Sequence, residues 1–196
     1  MRMRPIITVI ATALLLAGCV TGYTLVSPGT VAVSRGSMKV RPAIAWNRAP
    51  ANAANIKEEE DWTQNGPALD GIFFIGGLKD GQAISRQRAK DDRKVPVFRA
   101  TMTPQDLVSM VESAYRIKAG ATIFETTGVQ PATLAGRPAV QFDFRYVGGD
   151  EVQRRGRTVL AVIDGKLYLI GLEAAALHYF DAALPEFESL LASAAL

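Results

Sequence analysis

Hydrophobic and polar residues are arranged along this chain in short blocks whose period changes several times. Thr30-Val31-Ala32-Val33 predicts a first strand. From Met38 to Trp46, Val40, Ile44 and Trp46 share one parity while Lys39 and Arg41 take the other, as in a strand with one wet face. Residues 48–56, with Pro50 and several Ala and Asn, predict a loop. Glu59–Thr63 and Gly71–Leu78 predict two more strands, divided by Asn65-Gly66-Pro67. Between Lys79 and Arg99 the polarity rises and the period is lost, so a long surface loop is expected.

The period then becomes helical. Thr103 is suited to cap a helix, Pro104 to occupy its first turn, and Asp106 to face the positive end of its dipole. Leu107, Met110, Val111, Ala114 and Ile117 follow on one face, and Gly120 ends the run. Strands are expected at Thr122–Thr126 and Val129–Leu134, then, after Ala135-Gly136, through Val140, Phe142, Phe144 and Tyr146. Val159–Ile163 and Leu167–Leu172 flank Asp164-Gly165, a pair suited to a tight hairpin because both turn positions need positive φ. Phe180, Leu184, Phe187 and Leu190/Leu191 line one face of a final helix, with Pro185 expected in its first turn. About seven strands and two amphipathic helices give an α+β domain, an antiparallel sheet with helices packed on its faces.

The N-terminus carries a different signal. Arg2 and Arg4 precede an apolar run from Ile6 to Leu16, too short to span a bilayer, which needs about 20 residues. Leu16-Ala17-Gly18-Cys19 follows and resembles the lipobox of bacterial lipoproteins. That resemblance implies cleavage between Gly18 and Cys19 and acylation of Cys19. Several acyl chains hold a protein stably where one does not. It also implies sorting to the outer membrane, because Val20 rather than Asp follows the cysteine. The expected organisation is a signal peptide at 1–18, a lipidated tether at 19–29 and one periplasmic domain at 30–196.

Composition narrows the function classes. Cys19 is the sole cysteine, which excludes disulfides and zinc–thiolate sites. The formal charge of +3 includes Arg2 and Arg4, so loss of 1–18 leaves +1 and no argument for nucleic-acid binding.

From Leu134 onward the residue order resembles the PsbP/Mog-like α/β/α sandwich family, which includes DcrB-type bacterial envelope lipoproteins. The shared features are Leu-Ala-Gly-Arg-Pro-Ala (134–139), Arg157-Thr158-Val159, the Asp164-Gly165-Lys166-Leu167-Tyr168 hairpin, and Tyr179-Phe180, Pro185, Phe187 and Ser193 at the end. They are structural motifs and imply that fold, whose members are mostly assembly factors, binding proteins and envelope proteins.

Candidate chemistry is sparse. His178, the sole histidine, reads as structural or exposed, and no Gly-x-Ser-x-Gly elbow is present. Glu58-Glu59-Glu60-Asp61 reads as a solvated charge run, since consecutive strand residues alternate faces and no EF-hand spacing occurs. Gly76-Gly77 and Gly148-Gly149 read as turns or bulges. The segment from Lys79 to Arg99 holds seven basic residues against three acidic, and Arg86, Arg88, Arg93 and Lys94 form a candidate anion-binding surface. Arg154, Arg155 and Arg157 form a smaller basic cluster. The expectation is a non-catalytic outer-membrane lipoprotein, without metal or cofactor, that serves an envelope protein partner as scaffold, assembly or accessory factor. A binder of small or amphiphilic anionic ligands, such as lipid or lipopolysaccharide, is the alternative. A hydrolase ranks last.

Overall fold

The computed structural model describes residues 22–87, 93–121 and 123–196. Gly18 and Cys19 (the cleavage and lipidation site) and Arg88 lie outside these residues. Among these residues ten strands form in chain order: β1 Thr24–Val26, β2 Val31–Val33, β3 Met38–Val40, β4 Trp46–Arg48, β5 Glu59–Thr63, β6 Asp70–Lys79, β7 Ile123–Leu134, β8 Arg137–Val147, β9 Gln153–Ile163 and β10 Lys166–Ala175. Among the described residues two α-helices accompany them, α1 Pro104–Lys118 and α2 Tyr179–Ala192. Eight strands make one antiparallel sheet in the order β1-β4-β5-β6-β10-β9-β8-β7, while β2 and β3 pair separately.

The sheet has a helix on each face, and alternation along its strands sends side chains to two cores. Phe73, Ile75, Phe142, Phe144, Leu160 and Leu169 pack with Leu107, Val111 and Tyr115 of α1. Trp62, Ile72, Phe74, Val159, Ile170 and Leu172 pack with Phe180, Phe187 and Leu190 of α2. The β2–β3 ribbon closes beside α2, where Lys39 and Ala195 exchange backbone hydrogen bonds of 2.7 and 2.9 Å.

Local chemistry explains several boundaries. The Thr103 hydroxyl accepts from the Asp106 amide at 3.2 Å while the Asp106 carboxylate accepts from the Thr103 amide at 2.9 Å, a reciprocal cap on α1. Asp164 and Gly165 have φ of 49° and 71°, the mirror-image turn that a two-residue hairpin requires.

Elsewhere the structure corrects the sequence reading. The fold begins at Thr24 rather than at 30, because Thr24–Val26 pairs with Trp46–Arg48 and is a strand instead of tether. The single strand expected from Met38 to Trp46 is two, broken at Pro42, which has no amide to donate. The freed Ala43 amide donates to Glu186 at 2.8 Å, and Ile44 is exposed. Residues 123–134 form one strand whose register shifts between Thr127 and Gln130, where Gly128 takes φ of 62°. The segment 79–99 is not wholly surface, since Ile84, Val95 and Phe98 are buried and Ala83 bridges Val97. Pro185 is the seventh residue of α2, past the first turn, so no amide there donates to the Asp181 carbonyl.

Candidate functional site

Strand β5 divides its carboxylates between the two faces of the sheet. Glu60 turns toward α2, accepts from the Ser34 amide at 3.0 Å and the Trp62 indole at 2.8 Å, and pairs with Arg48 at 2.8 Å. Glu59 and Asp61 turn toward α1. Glu59 is buried and accepts from the Asn55 amide at 2.7 Å, the Asn55 side chain at 3.1 Å and Lys118 Nζ at 3.2 Å. The run 58–61 is therefore not solvated charge. Strand alternation does split it, as expected, and leaves Glu59 buried and Glu60 and Asp61 half-buried on their respective faces.

A cleft of about 390 Å³ opens over Asp61, between the loop after β4, the C-terminal end of α1 and strand β10. Tyr23, Ala53, Asn55, Phe73, Lys118 and Glu173 also line it. A neighbouring recess of about 540 Å³ shares Asn55, Pro67, Lys118 and Glu173 and adds Tyr115, Tyr146, Asp150 and Arg154. The Tyr146 hydroxyl donates to Glu173, Arg154 lies 3.8 Å from the same carboxylate, and Arg154 also pairs with Asp150 at 2.7 Å. Three carboxylates thus surround Lys118, each supplied by a different register position of the sheet.

The electrostatics follow from this crowding. Burial, reinforced by Glu59, Glu173 and Glu60, raises the Asp61 carboxyl to about 7, although Lys118 opposes the shift. Asp61 makes no side-chain hydrogen bond among the described residues, so nothing else favours its charge. Burial works against the charge on Lys118, but Glu59, Glu173 and Asp61 together outweigh it and hold its pKa above the usual lysine value. Burial, then Glu173, pushes the Tyr115 and Tyr146 phenols up. Hydrogen bonding to Arg154 holds Asp150 well below the usual carboxylate range. At neutral pH the cleft accordingly presents a protonated lysine and one carboxyl whose pKa burial has raised to about 7, and the neighbouring recess presents two neutral phenols.

The residues singled out from the sequence are placed differently. Arg86, Arg93 and Lys94 are exposed, as an anion-binding surface requires. Arg86 donates to the Ala54 carbonyl at 3.4 Å and Arg93 to the Arg116 carbonyl at 3.2 Å, which bring both beside the walls of the cleft. The cluster of Arg154, Arg155 and Arg157 is an ion-pair lattice instead. Arg155 pairs with Asp181 at 2.9 Å, and Arg157 bridges Asp143 at 2.6 Å and Glu188. His178 is exposed before α2 with φ of 72°, its ring set against Tyr179. Among the described residues no group of His, Cys, Asp and Glu converges as a metal site, and no helix is long and apolar enough to cross a membrane.

The Asp61–Lys118–Glu173 cluster was missed in the sequence, although signals existed. Glu59 and Asp61 share parity, and Glu173 is a lone carboxylate in an otherwise apolar stretch. Their convergence with Lys118 depends on the pairing of β5, β6 and β10, which no local pattern encodes.

No family model matches the chain, and no curated protein does. Solved structures are similar to it. LpqN, involved in cell envelope biogenesis of Mycobacterium tuberculosis, matches 91% of this chain and 86% of its own at 12% identity with a TM-score of 0.38. Cyanobacterial PsbP (CyanoP) from Synechocystis sp. PCC 6803 matches 91% of this chain and 96% of its own at 13% identity with a TM-score of 0.56. The eight-stranded antiparallel sheet with a helix on each face is a PsbP-like fold.

Proposed function

We propose that the chain is a lipid-anchored protein of the bacterial outer membrane that acts at the periplasmic face by binding, as a scaffold, assembly or accessory factor for an envelope protein. The observation carrying this reading is the spacing between the lipobox-like motif and the fold. Thr24, five residues beyond Cys19, is already paired with Arg48 in the sheet. A lipid on Cys19 would hold the whole domain at the bilayer surface.

The cleft supports binding over catalysis. Lys118 keeps its proton and so is no nucleophile at neutral pH, and the phenols of Tyr115 and Tyr146 stay neutral. What the cleft offers is fixed charge and hydrogen bonds. Its acidic floor disfavours free anions, so the alternative of an anionic ligand draws support from the basic segment outside it and not from the cavity.

The test is fractionation of the bacterium's envelope. Fatty-acid labelling of the chain, its recovery with outer-membrane density markers, and loss of both in Cys19→Ala are expected. A Cys19→Ala chain that stays with membranes through high-salt washing excludes the lipid as the anchor. Recovery of the unaltered chain with inner-membrane markers overturns the assigned location.

A further inference from the structure

We propose that the cleft over Asp61 binds a small organic ammonium ion, its charged head over Gly71 between Asp61 and Glu173 and its apolar stem against Tyr23 and Pro67. The inference rests on the reading of the chain as a binding protein and not on its anchor or location, so the titration below and the fractionation above can fail separately. The position of the head follows from the register of the sheet. Asp61 of β5 lies opposite Phe73 of β6, and two residues along β6 Gly71 lies opposite Glu173 of β10. Alternation puts Asp61, Gly71 and Glu173 on the α1 face with Phe73. Gly71 has no side chain to fill the floor between the two carboxylates, and a Cβ there would meet only the Trp62 carbonyl oxygen, at 3.5 Å. All three residues line the cavity of about 390 Å³, a volume suited to a small molecule.

The hydrogen bonds show what this floor lacks. Glu59 accepts from Asn55 and Lys118, Glu173 from Tyr146, and Asp70 from the Thr63 hydroxyl at 2.7 Å and the Gln64 amide at 2.8 Å. Among the described residues Asp61 alone of these carboxylates accepts no hydrogen bond at its side chain. The cations present are already engaged, Lys118 with Glu59 at 3.2 Å and Arg154 with Asp150 at 2.7 Å and Glu173 at 3.8 Å. Lys118 and Arg154 thus face four carboxylates, Glu59, Asp61, Asp150 and Glu173, and a further cationic donor would redress the balance. Among the described residues no acidic group converges as a metal site, and Tyr23, Ala53 and Pro67 give the mouth apolar walls, so the cation that fits is organic. Burial and then Glu59 hold the Asp61 carboxyl at about 7, so an ammonium ion that pairs with it must displace its proton.

The experiment titrates the full chain, in nonionic maltoside micelles, with n-butylammonium. The probes n-butanol and butanoate carry a similar stem without the positive charge, and backbone amide NMR shifts report binding. Butylammonium is expected to shift the amides of Asp61, Gly71 and Glu173 and to bind severalfold more tightly than butanol, while butanoate leaves them unmoved. Its affinity should fall about tenfold from near pH 8 to near pH 6 as Asp61 takes up its proton. The charged groups acting on Asp61 are Glu59 and Glu60 on β5, Lys118 on α1 and Glu173 on β10, and Asp70 of β6 lines the same cleft. All remain in Asp61→Asn, which should bind severalfold more weakly and lose the pH step. Gly71→Val keeps every charge but fills the floor, and should weaken binding as well. Equal affinity for butylammonium and butanol overturns the recognition of charge. Binding that both variants leave unchanged, or no shift with butylammonium, overturns the site. If the amide spectrum of Gly71→Val shows a misfolded chain, Asp61→Asn decides alone.

Discussion

Gly171 of β10 lies directly opposite Phe73 of β6, and the phenyl ring fills the space that a side chain at 171 would need. A Cβ built on Gly171 would stand 2.1 Å from Phe73 Cζ, far inside van der Waals contact. The arrangement recurs across the next strand pair, where a Cβ on Gly156 would stand 2.0 Å from Phe144 Cζ. Both rings lie flat over a glycine and carry the α1-side core, in which Tyr115 meets Phe73 at 6.2 Å and Phe144 at 4.8 Å between centroids. Neither glycine has a positive φ, so here the residue is required for space and not for backbone freedom.

Gly171→Ala is therefore expected to destabilise the fold by about 1–3 kcal/mol through overpacking. Gly149→Ala is the matched control, because its Cβ would meet nothing closer than 3.9 Å, and a change within about 0.5 kcal/mol is expected. Urea melts of both variants check the contrast. Shrinking the opposing ring in Gly171→Ala/Phe73→Leu should recover part of the loss, and equal melting of the two single variants would show that the ring moves aside freely.

Phe187 is fully buried on the inner face of α2, within the core formed by Trp62, Phe74 and Ile170. Phe187→Ala is expected to cost about 3–5 kcal/mol, the lost transfer energy plus the cavity left behind. A loss under about 1 kcal/mol in denaturant melts would mean that α2 is not docked on the sheet in solution.

Much of this architecture was legible because local periodicity and turn chemistry agreed. Thr103-Pro104-Gln105-Asp106 specifies the start of α1 through its own side chains, and Asp164-Gly165 specifies its hairpin through its own φ angles. Contacts remote in sequence were not legible. Thr24–Val26 looked like tether because three residues carry no period, and only the partner strand Trp46–Arg48 makes them a strand. Ile44 matched the parity of Val40 and Trp46, yet Pro42 breaks the strand between them. The candidate site is the clearest case. Asp61 and Glu173 are more than a hundred residues apart, and β6, pairing with both β5 and β10, brings them to one cleft. The exposed basic residues were readable because they needed only the absence of apolar neighbours.

Asp61 supplies a pH dependence whose sign is opposite to that of a salt-bridged carboxylate. Its pKa rises from 3.8 to about 7 in the folded chain, chiefly through burial and then through Glu59. Between these values the native state holds a proton that the unfolded state has released, so the native state binds more protons. Stability must then fall as pH rises from about 4 to about 7, by at most roughly 4 kcal/mol from this group, and level off above. Asn carries no charge at any of these pH values. Asp61→Asn should thus gain stability over the parent near pH 8, with little difference near pH 4, and its own pH slope across this window should be flatter. The facing groups Glu59, Glu60, Glu173 and Lys118 remain in both proteins, so the difference between them isolates Asp61. Urea melts across the window measure it, and parallel pH profiles for parent and variant would show that Asp61 is ionised in the folded chain at the usual carboxylate pH.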